Sequence, residues 1–145
     1  MANSTVGRGM NKVGYEGRDV FLGVKAAAKI FAGTMVAQIA GACVAGTTAT
    51  AGPCIGVAQH DMDATGAADL VKRVALEFDR VYAFDNSVTD ACSETLAFDT
   101  AVFMEDDHTI SRTNGGVAAR QYAGRFRGME PNGTVRVYIA ASNAT

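Results

Sequence analysis

The chain is predicted to be mainly β: a small β-barrel or sandwich, built from two similar halves, with an extended N-terminal arm. Three observations predict this. Short apolar runs recur along the chain, each closed by turn residues. The last of them, Thr134 to Ala140, alternates Val135, Val137 and Ile139 with Thr134, Arg136 and Tyr138, the period of two of a half-buried strand. The 145 residues hold 16 Gly and only 2 Pro, which suits an ordered chain with many turns.

Residues 1–24 form the predicted arm and residues 25–145 the β-rich body. Gly7, Gly9, Gly14, Gly17 and Gly23 break any apolar period in the first segment. Such a segment buries too little surface to order itself. Val13, Tyr15, Val20, Phe21 and Leu22 nonetheless give it apolar weight. It therefore reads as an arm that orders against a partner, for instance by adding a strand to a sheet edge. The bland alternative is a disordered terminus.

Within the body the strand candidates are Thr34 to Ile39, Cys54 to Gln59, Leu70 to Leu76, Arg80 to Phe84, Ala101 to Met104, Gly124 to Arg127 and Thr134 to Ala140. Asn132-Gly133 supplies the positive φ of a tight turn, and Asp85-Asn86 and Asn114-Gly115-Gly116 read as further turns. Val24 to Ile30 contains Ala26-Ala27-Ala28 and has helix propensity, but it is too short to stand alone.

A faint repeat supports the two halves. Phe31 to Val36 lies over Phe98 to Phe103 at an offset of 67, as 98 − 31 shows. Met62-Asp63 falls on Met129-Glu130 and Gly66 on Gly133 at the same offset, and Gly56 on Gly124 at 68. Each copy would lead into a Val-rich strand, with Leu70, Val71 and Val74 in one and Val135, Val137 and Ile139 in the other. Two such halves can bury a core together that neither buries alone.

Net charge is −2, distributed in blocks. Residues 1–30 carry five basic and two acidic groups, residues 31–58 none, residues 59–107 three basic and twelve acidic, and residues 108–145 five basic and one acidic. An acidic middle between basic ends is not the profile of a nucleic-acid binder. It suits docking through complementary patches, or a solvated acidic face. No apolar run approaches 18 residues, and the polar start lacks the basic-then-apolar order of a secretory signal. Cys43, Cys54 and Cys92 form no CxxC pair and are expected to be reduced and buried.

No catalytic set has a physical warrant in the sequence. His60, Asp61 and Asp63 cluster, but Ala64-Thr65-Gly66-Ala67 breaks a calcium loop, and zinc would need further His or Cys. Glu105-Asp106-Asp107-His108 reads as a polar hairpin tip. With only two His and no GxSxG elbow, a nucleophilic triad has no support. No cofactor, metal or membrane is expected. Arg120, Arg125 and Arg127, with Tyr122 and Phe126 between, resemble a weak nucleic-acid stripe, but a basic edge facing a protein is favoured.

The motifs Gly33-Thr34-Met35-Val36, Ile55-Gly56-Val57-Ala58, Asp63-Ala64-Thr65 and Gly133-Thr134-Val135-Arg136-Val137 resemble those of the capsid decoration, or cement, proteins of tailed bacteriophages. The resemblance covers roughly residues 25–140. It implies a non-enzymatic virion protein, made in the host bacterial cytoplasm, that sits on the outer capsid surface and binds the major capsid protein and itself, as a dimer or trimer. The acidic stretch from Glu77 to Glu94 departs from the family pattern. The residues expected to meet partners are Arg8, Lys12, Tyr15, Arg18 and Phe21 in the arm, and Phe78, Asp79, Tyr82 and Asp85 in that stretch. A tail or baseplate component is the second reading, and a small β-barrel hydrolase or isomerase the third.

Overall fold

The computed structural model describes residues 19–116 and 120–141. Twelve strands follow one another: β1 (Asp19–Gly23), β2 (Lys29–Ile30), β3 (Met35–Ile39), β4 (Ala42–Ala45), β5 (Gly56–Ala58), β6 (Met62–Asp63), β7 (Arg73–Glu77), β8 (Arg80–Asn86), β9 (Ala101–Met104), β10 (Thr109–Ser111), β11 (Tyr122–Met129) and β12 (Val135–Ile139). The fold is mainly β, and no α-helix is present among the described residues. Residues 24–30, the one stretch with helix propensity, form turns and β2 instead. Their backbone is claimed by long-range bonds, Val24 N–H to Lys72 and Lys25 N–H to Cys43.

Strands β8 to β12 make a closed barrel in the order β10-β8-β12-β11-β9. Strands β1, β7, β5, β3 and β4 make a five-stranded sheet in that order, and β2 pairs with β6. The ends of the five-stranded sheet meet where Val24, just past β1, bridges Cys43 of β4 in parallel. The first sheet thus curls on itself much as the barrel does.

The two halves share one connectivity, pair for pair. In the first, Val36 faces Gly56, Val57 faces Glu77, Gln38 faces Cys43 and Phe21 faces Ala75. In the second, Val102 faces Gly124, Arg125 faces Tyr138, Met104 faces Ile110 and Ala83 faces Arg136. The parallel contact recurs too, Val24 with Cys43 and Asn86 with Ile110. So β1, β3, β4, β5 and β7 correspond to β8, β9, β10, β11 and β12.

This register refines the sequence overlay. Gly56 does fall on Gly124. Each packs against a backbone carbonyl of the neighbouring strand, Glu77 O in one half and Tyr138 O in the other, where a Cβ would intrude. The strand before them is shifted by one residue from the 67-residue offset, because Gly33 lies on Asp99 and Thr34 on Thr100. Both members of the first pair have positive φ, 79° and 70°. Both threonine hydroxyls bond the carbonyl three residues back, Phe31 and Ala97. Met62 has no counterpart in Met129: it pairs with Ile30, whereas Met129 closes the β11–β12 hairpin. Leu70 and Val71 are exposed, and Val74 and Leu76 take the places of Val135 and Val137. Asp85 and Asn86 are not a turn either, because β8 runs through them to reach β10.

Side-chain alternation builds the cores. Val135, Val137 and Ile139 point inward with Phe84, Val102, Met104, Ile110 and Phe126. Val24, Val36, Cys43, Val74 and Leu76 fill the first half. Full burial of each such aliphatic side chain contributes about 1.5–3 kcal/mol. Met35, Cys54 and Val57 of the first half join the core of the second, so the halves are packed as one body. The backbone seals this seam, with Met35 N–H bonded to Asp107 O and Cys54 N–H to Tyr122 O.

The body also begins earlier than expected. Residues 19–23, expected in the arm, pair along their length with β7 and so belong to the body. Val20 and Leu22 face the first core, which is why these residues order within the chain.

Candidate partner-binding surface

The residues expected to meet partners do not form one patch. Arg8, Lys12, Tyr15 and Arg18 lie outside the described residues. Phe21 is 45% exposed on β1. Phe78 is buried, which removes it from any surface. Asp79 is a structural residue with φ 57°, held in the link between the halves. Its carboxylate accepts the Ala141 N–H at 3.0 Å and the Tyr138 hydroxyl at 3.4 Å, and its own N–H donates to Ile139 O. Tyr82 is half-buried, and burial, then the charge of Glu77, pushes its hydroxyl pKa well above the ordinary range. Asp85, on β8, is exposed.

A groove of about 490 Å³ runs along the seam of the halves. Gly33, Val57, Gln59 and Glu77 line it from the first half, and Tyr82, Ala83 and Phe84 of β8 from the second. Glu77 and Arg80 pair nearby at 3.7 Å.

The second half presents a different surface on its outward face. Arg127 lies 5.0 Å from the Phe98 ring and 4.8 Å from the Tyr138 ring. It donates to Asp99 Oδ1 at 3.0 Å. Its Nε is buried and makes no hydrogen bond. Arg125 lies 5.9 Å from the Tyr122 ring and donates to the Asp99 carbonyl at 3.3 Å. Phe103 meets Tyr122 edge-on at 6.4 Å. Phe98 is 72% exposed. Arginines stacked on rings lose less entropy on binding than free ones, and aromatic-arginine surfaces are typical of protein-docking centres.

The sequence pointed at part of this face. Arg125 and Arg127 do share a side of β11, but Phe126 between them is buried and Arg120 is elsewhere. Arg120 bonds Asp90 Oδ2 at 3.0 Å and Glu105 Oε1 at 3.2 Å. Phe98 and Tyr138 were missed because only folding brings residues 98 and 138 to residue 127.

The groups that looked most like chemistry serve local structure. His60 Nε2 accepts the Ala75 N–H at 3.1 Å, so its Nδ1 carries the proton that meets Asp61 O at 3.0 Å. Asp61 holds the Ala32 N–H and Asp63 holds Thr65. Residues 105–108 are the tip of the β9–β10 hairpin, as the sequence indicated. There the His108 ring meets Asp107 at 2.8 Å, and that bond, with the charges of Asp106, Asp107 and Asp85, raises its pKa. Burial pushes the thiols of Cys43 and Cys92 up to about 11 and that of Cys54 to about 12, so all three are protonated at neutral pH. No family model, no curated protein and no solved structure matches this chain.

Proposed function

We propose that this chain is a non-catalytic structural protein that docks on the outer surface of a phage capsid and reinforces the lattice of major capsid protein. The observation that carries this reading is the outward face of the second half, where Phe98, Tyr122 and Tyr138 stand around Arg125 and Arg127. Rings and guanidinium groups held in place on a rigid sheet make a ready docking surface for a protein. Asp99 and Glu130 among the arginines would repel a continuous phosphate backbone, whereas they leave room for discrete carboxylates on a protein. The sequence resemblance supplies the capsid as the partner.

Co-sedimentation of the purified chain with capsid shells lacking it tests the reading. Saturable binding is expected, weakened at least tenfold by Arg125→Glu with Phe98→Ser. Wild-type protein that stays in the supernatant at every concentration would refute it.

A further inference from the structure

Carboxylates border the seam groove at both ends. At one end Asp19 and Glu77 stand directly opposite each other on β1 and β7, and Glu77 lines the groove beside Tyr82. Like charges paired in this way repel unless a cation is near. The charges of Glu77 and Asp19 both reach the Tyr82 hydroxyl. One Asp19 carboxylate oxygen is buried with no hydrogen-bond partner. At the other end the groove reaches Gly33 and Phe84. Close by, Met35 N–H bonds Asp107 O, and Asp85 N–H bonds His108 O. Asp85, Asp106 and Asp107 therefore gather around His108. The ion-pair partners of these acids among the described residues are Arg80, 3.7 Å from Glu77, and His108, 2.8 Å from Asp107 and 3.1 Å from Asp106.

The chain enters the described body at Asp19, at the first of these ends. The residues before it carry Lys12 and Arg18 against one acid, Glu16, with Val13 and Tyr15 between. Val57 and Phe84 give the groove an apolar floor. An extended chain rises about 3.3 Å per residue, so the stretch from Lys12 to Asp19 spans up to about 23 Å, while Tyr82 to Asp85 along β8 is about 10 Å. The segment is thus long enough to lie along the groove and bring Lys12 to Asp85.

We infer that residues 12–18 dock in the seam groove of their own chain, with Val13 and Tyr15 on Val57 and Phe84, Arg18 at the Asp19 and Glu77 end, and Lys12 at Asp85. The groove of about 490 Å³ takes the two apolar side chains. The basic groups relieve the repulsion among the acids, and the segment straps the two halves together along their seam. This site is a different surface from the arginine-aromatic face, and it does not depend on the capsid reading.

A nitroxide on the full chain at Met10→Cys reads the outcome by nuclear magnetic resonance. The native thiols are buried, so the new one takes the label. The amide signals of Gln59 and Ala83, on the groove walls, are expected to be lost. Asp85→Lys should bring them back, and Asp85→Lys combined with Lys12→Glu should lose them again, because the swap restores the opposite charges. Circular dichroism shows that each variant is folded. A mixture of nitroxide-bearing chain with isotope-labelled chain free of nitroxide should keep both signals, since the segment docks on its own chain. Signals that persist in the labelled chain, a charge swap that does not lose them again, or signals lost in the mixture, which would make a second copy the donor, would each overturn the inference. Capsid co-sedimentation is measured separately, so a chain that binds shells while its Gln59 and Ala83 signals persist would sink this inference alone.

Discussion

Gly124 sits directly beneath the backbone carbonyl of Tyr138, and no Cβ fits between them. Gly56 holds the corresponding place beneath Glu77, with more room: a Cβ there would lie 3.0 Å from the carbonyl oxygen. Gly124→Ala should therefore destabilise the fold by roughly 2–3 kcal/mol, and Gly56→Ala by about 1 kcal/mol. Urea unfolding of the two variants checks the order. Equal losses would mean that the difference in clearance does not set the cost.

The β3–β4 hairpin turns through Ala40 and Gly41, whose φ angles are 49° and 82°. Two positive φ values mark a two-residue turn of the I′ type, which suits Asn-Gly and strains alanine. Ala40→Asn is expected to raise stability by roughly 0.5–1 kcal/mol, read as a higher urea midpoint. A lower midpoint would show that the turn is of another kind.

This turn also shows where sequence reading runs out. The strands with a period of two or a short apolar run, β3, β5, β7, β8, β9, β11 and β12, were legible as short β segments. Strand β4 was not, because Ala40-Gly41-Ala42 carries no turn signature, and β10, three residues after an acidic tip, is too short for a period. Strand β1 looked like an arm because glycines flank it; its order comes from β7, more than fifty residues away. The glycine correspondence of 56 and 124 was visible because close backbone approach permits no other residue. The Phe98–Arg127–Tyr138 face depends on three distant segments and is invisible to spacing.

Charge reversal at Asp79 was the natural probe of an interface in the acidic stretch. Its carboxylate instead ties the link between the halves to Ala141 and Tyr138. Asp79→Lys should lower stability by roughly 1–2 kcal/mol through the lost hydrogen bonds, while Asp85→Lys, on an exposed side chain, should leave it within about 0.5 kcal/mol. Thermal melts of the two variants separate these roles. A neutral Asp79→Lys would contradict the structural assignment.

Acid should weaken the loop held by Asp90. Its carboxylate accepts the Thr113 hydroxyl and N–H and the Arg120 guanidinium, and the Thr113 hydroxyl is the largest cause of its lowered pKa. Because the folded-state pKa is depressed, the stabilisation is fully present above the ordinary aspartate value of 3.8 and is lost as pH falls through the lower folded value. Thr113→Val should cost roughly 0.5–1.5 kcal/mol at pH 7. The gap from wild type should narrow as pH falls below 3.8, as unfolding at several pH values would show. A gap that stays constant into strong acid would assign the loss to something other than this carboxylate.

Reinforcement of a lattice is a mechanical claim, and it is tested most directly by the temperature at which particles rupture. A chain that binds only the assembled shell stabilises it by mass action at many equivalent sites. Particles carrying this chain should release their DNA at a higher temperature than particles without it. The difference should shrink from low to high salt, because contacts through Arg125 and Arg127 are screened over about 10 Å in 0.1 M salt. Equal rupture temperatures with and without the chain, at both salt concentrations, would contradict the reinforcing role.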